Sequence, residues 1–154
     1  MLQKQHAIFL AAAQLLIGCS DPREEALVNI RTIFSSASVY FDQTTQSGPI
    51  EAAQFPASTP LTPTPIPCGT RARTAPEVWS SQPSWAALGF SVNAPHRYSY
   101  QIQSEGVGAT AQFTISAFGD LDCDGVYSTF VRYVGVLDGE AAGSAGLLEV
   151  NGLE

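Results

Sequence analysis

FTISAFGDLDCDGVYSTF, residues 113–130, decides the fold. Before Gly119, Phe113, Ile115 and Ala117 alternate with Thr114 and Ser116, a pattern that reaches back through Gln112 and Ala111 to Thr110. After Gly125, VYSTFVRYV (126–134) alternates again, Tyr127, Thr129, Val131 and Tyr133 against Ser128, Phe130, Arg132 and Val134. Successive strand residues point to opposite faces, so the two runs read as adjacent antiparallel strands with one face buried and one wetter. GDLDCDG is the turn between them. Working outward, RYSYQIQS (97–104) sets Tyr98, Tyr100 and Ile102 against Ser99, Gln101 and Gln103, and EGVG (105–108) turns it into the next strand. The Gly-rich tail holds a short edge strand at Leu147–Val150.

Upstream, SDPREEALVNIRTIFSSASVYFDQ (20–43) reads as a helix. Ser20 or Asp21 can cap it, Pro22 suits its first turn, and Glu24 and Glu25 sit where the helix dipole favours anions. Leu27, Ile30, Phe34, Ala37 and Phe41 form an apolar stripe, widened by Val28, Ile33 and Tyr40. Residues 44–69 carry five prolines between Pro56 and Pro67, which exclude a helix or a central strand. This segment is expected to cross the surface in extended form. Residues 76–96 are expected to be a loop with one helical turn. Trp79 and Trp85 there are read as core packing, with an exposed sugar-binding platform as the alternative. The expected class is α+β: an amphipathic helix (19–43), a Pro-rich loop (44–69) and a sheet region (70–154) forming one domain, with the helix packed on an antiparallel meander.

Only 14% of the 154 residues are charged, and the net charge is −7. Seven basic residues against fourteen acidic ones leave no surface suited to nucleic acid, which demands clustered positive charge. Residues 1–18 read as a signal peptide: Lys4 precedes an apolar run, AIFLAAAQLLIG, too short to span a bilayer. The ending Leu16-Ile17-Gly18-Cys19 resembles a bacterial lipobox, in which Cys19 is lipidated and anchors the chain to a membrane. An ordinary cleaved signal with an incidental cysteine, or a retained anchor, is the alternative. Ser20 after the cysteine favours the outer membrane under the sorting rule of enteric bacteria. Lipidation of Cys19 leaves Cys68 and Cys123, which in an exported chain pair most simply as a disulfide. A loop of about 55 residues closed in this way stabilises by about 3–4 kcal/mol. Zinc lacks a four-ligand pattern.

Asp120, Asp122 and Asp124 have the one-three-five spacing of a calcium loop, with Gly125 at the sixth position, Val126 at the seventh and Ser128 at the ninth. Position twelve is Val131 rather than glutamate, and strands flank the loop, so an EF-hand is excluded. Two readings stay open: a truncated, weak calcium site, or a turn whose aspartates bond their own backbone. Otherwise the chain reads as non-catalytic and without a cofactor. His96 is the one histidine beyond the signal segment, read as a surface or hydrogen-bonded residue. No nucleophile elbow or phosphate-cradling glycine loop appears.

The helix EEALVNIRTIFSSASVYF, then Trp85 to Phe90, Arg97 to Tyr100 and the stretch Phe113 to Phe130 resemble the globular part of type IV pilins and type II secretion pseudopilins. The similarity is greatest to the pilin-like proteins of deltaproteobacteria and covers residues 23–134. It implies a pilin-like head, envelope, pilus or secretion proteins as partners, and, from the major pseudopilins, calcium in a loop of the head. A pilin also begins with a glutamate at mature position five and about twenty apolar residues. Here Gly18 is followed by Cys-Ser-Asp-Pro-Arg-Glu, so filament assembly is not carried over. The resulting expectation is a non-catalytic cell-envelope lipoprotein, exported to the outer membrane or periplasmic face, with a structural or protein-contact role. The alternative is an exported module that binds calcium or a surface ligand.

Overall fold

The structure is a computed structural model and describes residues 21–144 and 146–153. The signal segment 1–18, the lipidation position Cys19 and the alternative cap Ser20 lie outside the described residues. Asp21 is the cap: its carboxylate accepts the Arg23 backbone N–H at 3.0 Å. Helix α1 then runs Pro22–Ser47, past the expected end at residue 43. The extra turn, TTQS, bonds back to its own helix. The hydroxyls of Thr44, Thr45 and Ser47 donate to the carbonyls of Phe41, Asp42 and Gln43, each at 2.7 Å. These bonds satisfy the hydroxyls within the helix, on carbonyls that also serve its own ladder. Pro49 then disfavours helical geometry at Gly48, and the helix stops.

The sheet is a meander, β1 (Tyr98–Glu105), β2 (Gln112–Gly119) and β3 (Ser128–Leu137), all antiparallel. Its register lines Tyr100 up with Ala117 and Phe130, and Ile102 with Ile115 and Arg132. The inward face therefore carries Tyr98, Tyr100, Ile102, Phe113, Ile115, Ala117, Phe130 and Val134, all buried. Against it α1 lays Ala26, Ile30, Ile33, Ala37 and Phe41, also buried. Leu27, Phe34 and Tyr40 pack at the margin, and Val28 is exposed. The expected α+β arrangement of helix on antiparallel sheet is present. Gly119 is required where it stands, since a Cβ there would lie 2.8 Å from the Tyr98 ring.

Two strands share the outer edge of β3. β5 (Leu148–Val150) pairs with Thr129–Val131, as the edge-strand expectation has it to within a residue. β4 (Glu140–Gly143) pairs with Val134–Leu137 and was not expected. Its turn is Asp138-Gly139, both at positive φ (53° and 84°), the geometry of a two-residue type I′ hairpin. The Asp-Gly pair is itself a strong hairpin signal, but Ala141 and Ala142 show no alternation to mark a strand after it.

The Pro-rich segment corrects the surface-crossing expectation. Ala53, Phe55, Thr59 and Thr62 are buried. The segment lies along the free edge of β1, where prolines are tolerated because that side needs few donors. The non-proline residues supply them: Thr59 N–H donates to Ile102 O at 3.0 Å, and Thr62 exchanges both backbone bonds with Tyr100, at 2.9 and 2.7 Å. Residue 68 next pairs with Asp120, beyond the end of β2. Residues 63–67 link these two pairings.

Residues 76–96 hold two short helices rather than one turn, α2 (Pro76–Ser80) and α3 (Pro83–Ala87), each opened by a proline. They carry Trp79 and Trp85 into the core, with Phe90 5.5 and 5.3 Å from the two indoles and 5.6 Å from Tyr100. Both tryptophans are fully buried, which excludes an exposed platform. Trp85 Nε1 donates to Thr62 Oγ1 at 3.1 Å, and so does Gln82 Nε2.

Two predictions follow from this packing. Thr62→Val keeps the shape but leaves the buried Trp85 N–H without an acceptor, and urea unfolding should show a loss of about 1–3 kcal/mol. An unchanged midpoint would mean that the indole finds another acceptor. Tyr100 is buried with its phenol pKa pushed well up, first by desolvation and then by the Glu25 charge, against an opposing hydrogen bond from Asn29. A raised folded pKa means the unfolded chain releases this proton first. Stability from this group is therefore intact below about pH 10, the ordinary phenol value, and declines as pH rises beyond it. Denaturant titrations at increasing alkalinity check this, and Tyr100→Phe should flatten the decline.

Candidate functional site

The β2–β3 connection brings the predicted aspartates together. Asp120, Asp122 and Asp124 each place a carboxylate oxygen within 4.8 Å of the others. The backbone curls to allow it: Cys123 has φ +69° and Gly125 φ +86°, in the left-handed region that glycine enters freely and other residues rarely. Each carboxylate also accepts a nearby backbone N–H. Asp120 Oδ1 takes Cys123 N at 2.8 Å, Asp122 Oδ1 takes Asp124 N at 3.2 Å, and Asp124 Oδ1 takes Val126 N at 2.7 Å. These are the self-bonded aspartates of the turn reading. Each acid retains a second oxygen, so the turn does not exhaust the cluster's capacity to accept a hard cation.

The calcium-loop pattern fails beyond position seven. Ser128, the ninth position, is fully buried at the start of β3, with its hydroxyl 3.3 Å from the Tyr98 hydroxyl. Val131 lies within β3, paired to Leu148. The strand begins too early for either to reach the aspartates.

Cys68 and Cys123 form the expected disulfide, with Cα atoms 5.0 Å apart, inside the usual span. It fastens the end of the Pro-rich segment to the aspartate loop. Gly69 N–H reinforces the join by donating to Asp120 O at 2.9 Å. Gly69 has φ +63°, and a Cβ on it would sit 3.0 Å from the Cys123 sulfur, so the approach needs glycine twice over. Asp120 is thereby held from both sides and is 9% exposed, while Asp122 and Asp124 face solvent.

His96 is fully buried, which corrects the surface alternative. Its Nδ1 lies 3.0 Å from Ala94 O and its Nε2 3.0 Å from Thr74 Oγ1. A carbonyl can only accept, so Nδ1 carries the proton and Nε2, in the neutral ring, accepts from Thr74. Both ring nitrogens are engaged within the fold.

Sequence reasoning assigned nothing to Arg132. It occupies an inward position of β3, between Phe130 and Val134, and its guanidinium carbon lies 3.9 Å from the centre of the Phe34 ring. A charge in the inward register of an otherwise apolar strand was the signal available. Among the described residues no helix is long and apolar enough to cross a membrane. Comparisons with protein-family models, with curated proteins and with solved structures find no match for this chain.

The disulfide yields a direct expectation. Peptide mapping without reductant should recover Cys68 and Cys123 linked. Replacing both with serine should lower unfolding stability by about 2–4 kcal/mol, because the unfolded chain regains the freedom of the closed loop.

Proposed function

We propose that the protein is a non-catalytic lipoprotein of the bacterial cell envelope, in which a pilin-like globular domain serves structure or protein contact. One observation carries the proposal: Cys68 and Cys123 are joined. A structural disulfide suits an oxidising compartment outside the cytosol, which supports export. With that pair accounted for, Cys19 is the cysteine left over of the three, at the end of Leu-Ile-Gly-Cys. A long helix over an antiparallel meander, with a bonded loop after β2, supports the pilin-like part of the reading. The engaged nitrogens of His96 support a structural role for that residue. The bilayer reached through lipid on Cys19 is the first partner, and envelope, pilus or secretion proteins are the second class.

Expression in a lipoprotein-processing bacterium tests this. The product should enter the detergent phase, and its intact mass should match a chain starting at acylated Cys19. Cys19→Ser should shift it to the aqueous phase. A parent product that is soluble, unacylated and cut elsewhere would defeat the proposal.

The grouping of Asp120, Asp122 and Asp124 within 4.8 Å favours a second reading, an exported module that takes up calcium. Hard cations prefer such oxygen donors, and so few fixed ligands place the affinity in the weak extracellular range, about 10⁻⁴–10⁻³ M. Calorimetry should then show millimolar calcium uptake that disappears in an Asp122→Ala, Asp124→Ala double variant. Equal heats in parent and variant would leave the aspartates as a turn alone.

A further inference from the structure

Arg31 and Arg132 stand out in a chain with twice as many acidic as basic residues. Arg23 behaves as expected there, pairing with Asp21 and Glu149. Arg31 and Arg132 form no ion pair among the described residues, yet they line one cleft together. The cleft measures about 190 Å³ and lies between α1 and the connection from β4 to β5. Leu27, Ile30 and Leu147 give it an apolar wall, Ser144 and Gly146 complete the lining, and among the described residues no carboxylate lines it.

The Arg132 guanidinium is held in place before any ligand arrives. One face rests on the Phe34 ring. Gly143 abuts it closely: a Cβ there would come within 2.7 Å of Nη2, 2.9 Å of Nε and 3.0 Å of the Phe34 ring. Its Nε is buried and, among the described residues, has no hydrogen-bond partner. A buried, unpartnered N–H on a charged group is costly, and an acceptor supplied from outside would relieve that cost. A guanidinium presents its donors in a planar fork that matches the oxygens of carboxylate and phosphate. The apolar part of the lining, Leu27, Ile30 and Leu147, lowers the local dielectric beside the guanidinium and strengthens such a pairing.

We propose that this cleft is a binding site for a small oxyanion, a phosphate or a carboxylate, with Arg132 as the fixed donor and Arg31 as the second. The volume admits the anionic group and little more, so the group is either a free ion or the end of a larger molecule that remains outside. The overall charge of −7 opposes anion approach at long range. At physiological ionic strength that opposition is screened beyond about 8 Å, while contacts inside the cleft are not. The site is independent of lipidation at Cys19 and of the aspartate loop.

The test is thermal unfolding of the purified, disulfide-intact protein in sodium phosphate and in sodium acetate, each against sodium chloride at matched ionic strength and pH. The proposal expects a saturable rise in melting temperature over chloride in at least one oxyanion, with a shift of the Arg132 Nε–H resonance at the same concentrations. Phosphate alone, or acetate alone, identifies the ligand class. Arg31→Ala removes an exposed charge at little risk to folding. Gly143→Ala keeps every charge but displaces the Arg132 guanidinium. Each should weaken the response at least ~10-fold. No rise over chloride in either salt, or a rise of the same size and midpoint in both variants, would overturn the proposal.

Discussion

Thr62 joins the three parts of the molecule. Its backbone N–H and C=O pair with Tyr100 of β1, while its hydroxyl accepts from Trp85 and Gln82 at α3 and lies 3.1 Å from Pro60 O, its acceptor. The residue is 1% exposed, so none of these groups has water as an alternative. Through it a segment with little capacity to pair becomes the closing edge of the sheet. Through it also the two short proline-led helices hold their tryptophans against Tyr100. Neither helix, at five residues, would persist in water without such an attachment.

A second attachment works at the very start of β1, just before Tyr100. The Glu25 carboxylate accepts the N–H groups of Arg97 and Tyr98 at 2.9 and 3.2 Å. That bond fixes the first turns of α1 where the strand begins, and Asn29 repeats the contact one turn later by donating to the Tyr100 hydroxyl at 2.7 Å. Helix and sheet are thus aligned by polar contacts at the margin, while the apolar rows between them supply the bulk of the stabilisation. Both sheet edges are covered in their turn. Residues 56–62 shield β1, with side chains of Ser58 and Thr59 taking strand N–H groups, and β4 and β5 divide the outer edge of β3. An edge managed in this way offers little for unplanned strand addition.

The central architecture was legible because alternation and helical spacing are one-dimensional images of burial. β1, β2 and β3 start and end within three residues of the expected runs, and the inward set Phe113, Ile115 and Ala117 is the apolar set of the pattern. Where side chains are small the image fades, as at Ala141 and Ala142 of β4. Proline misled in another way. It excludes regular pairing, but it does not exclude burial of its neighbours, and Phe55, Thr59 and Thr62 lie inside. In the aspartate loop, spacing was enough for Asp120, Asp122 and Asp124, because two left-handed residues wrap five positions into one turn. Ser128 could not be placed by spacing, since its role is set by Tyr98 on another strand. The contact between Arg132 and Phe34 is of the same kind, and no local pattern contains it.

The disulfide has a mechanical consequence. When a chain is stretched from its two ends, tension follows the shortest covalent path. Here that path leaps from Cys68 to Cys123, bypassing β1, β2 and both short helices. The bypassed span would add roughly 190 Å of length if drawn out, at about 3.4 Å per residue. With the bond intact, stretching can peel α1 from one side and β3 to β5 from the other. The hairpin of β1 and β2, enclosed by the bond, carries no load through its own chain.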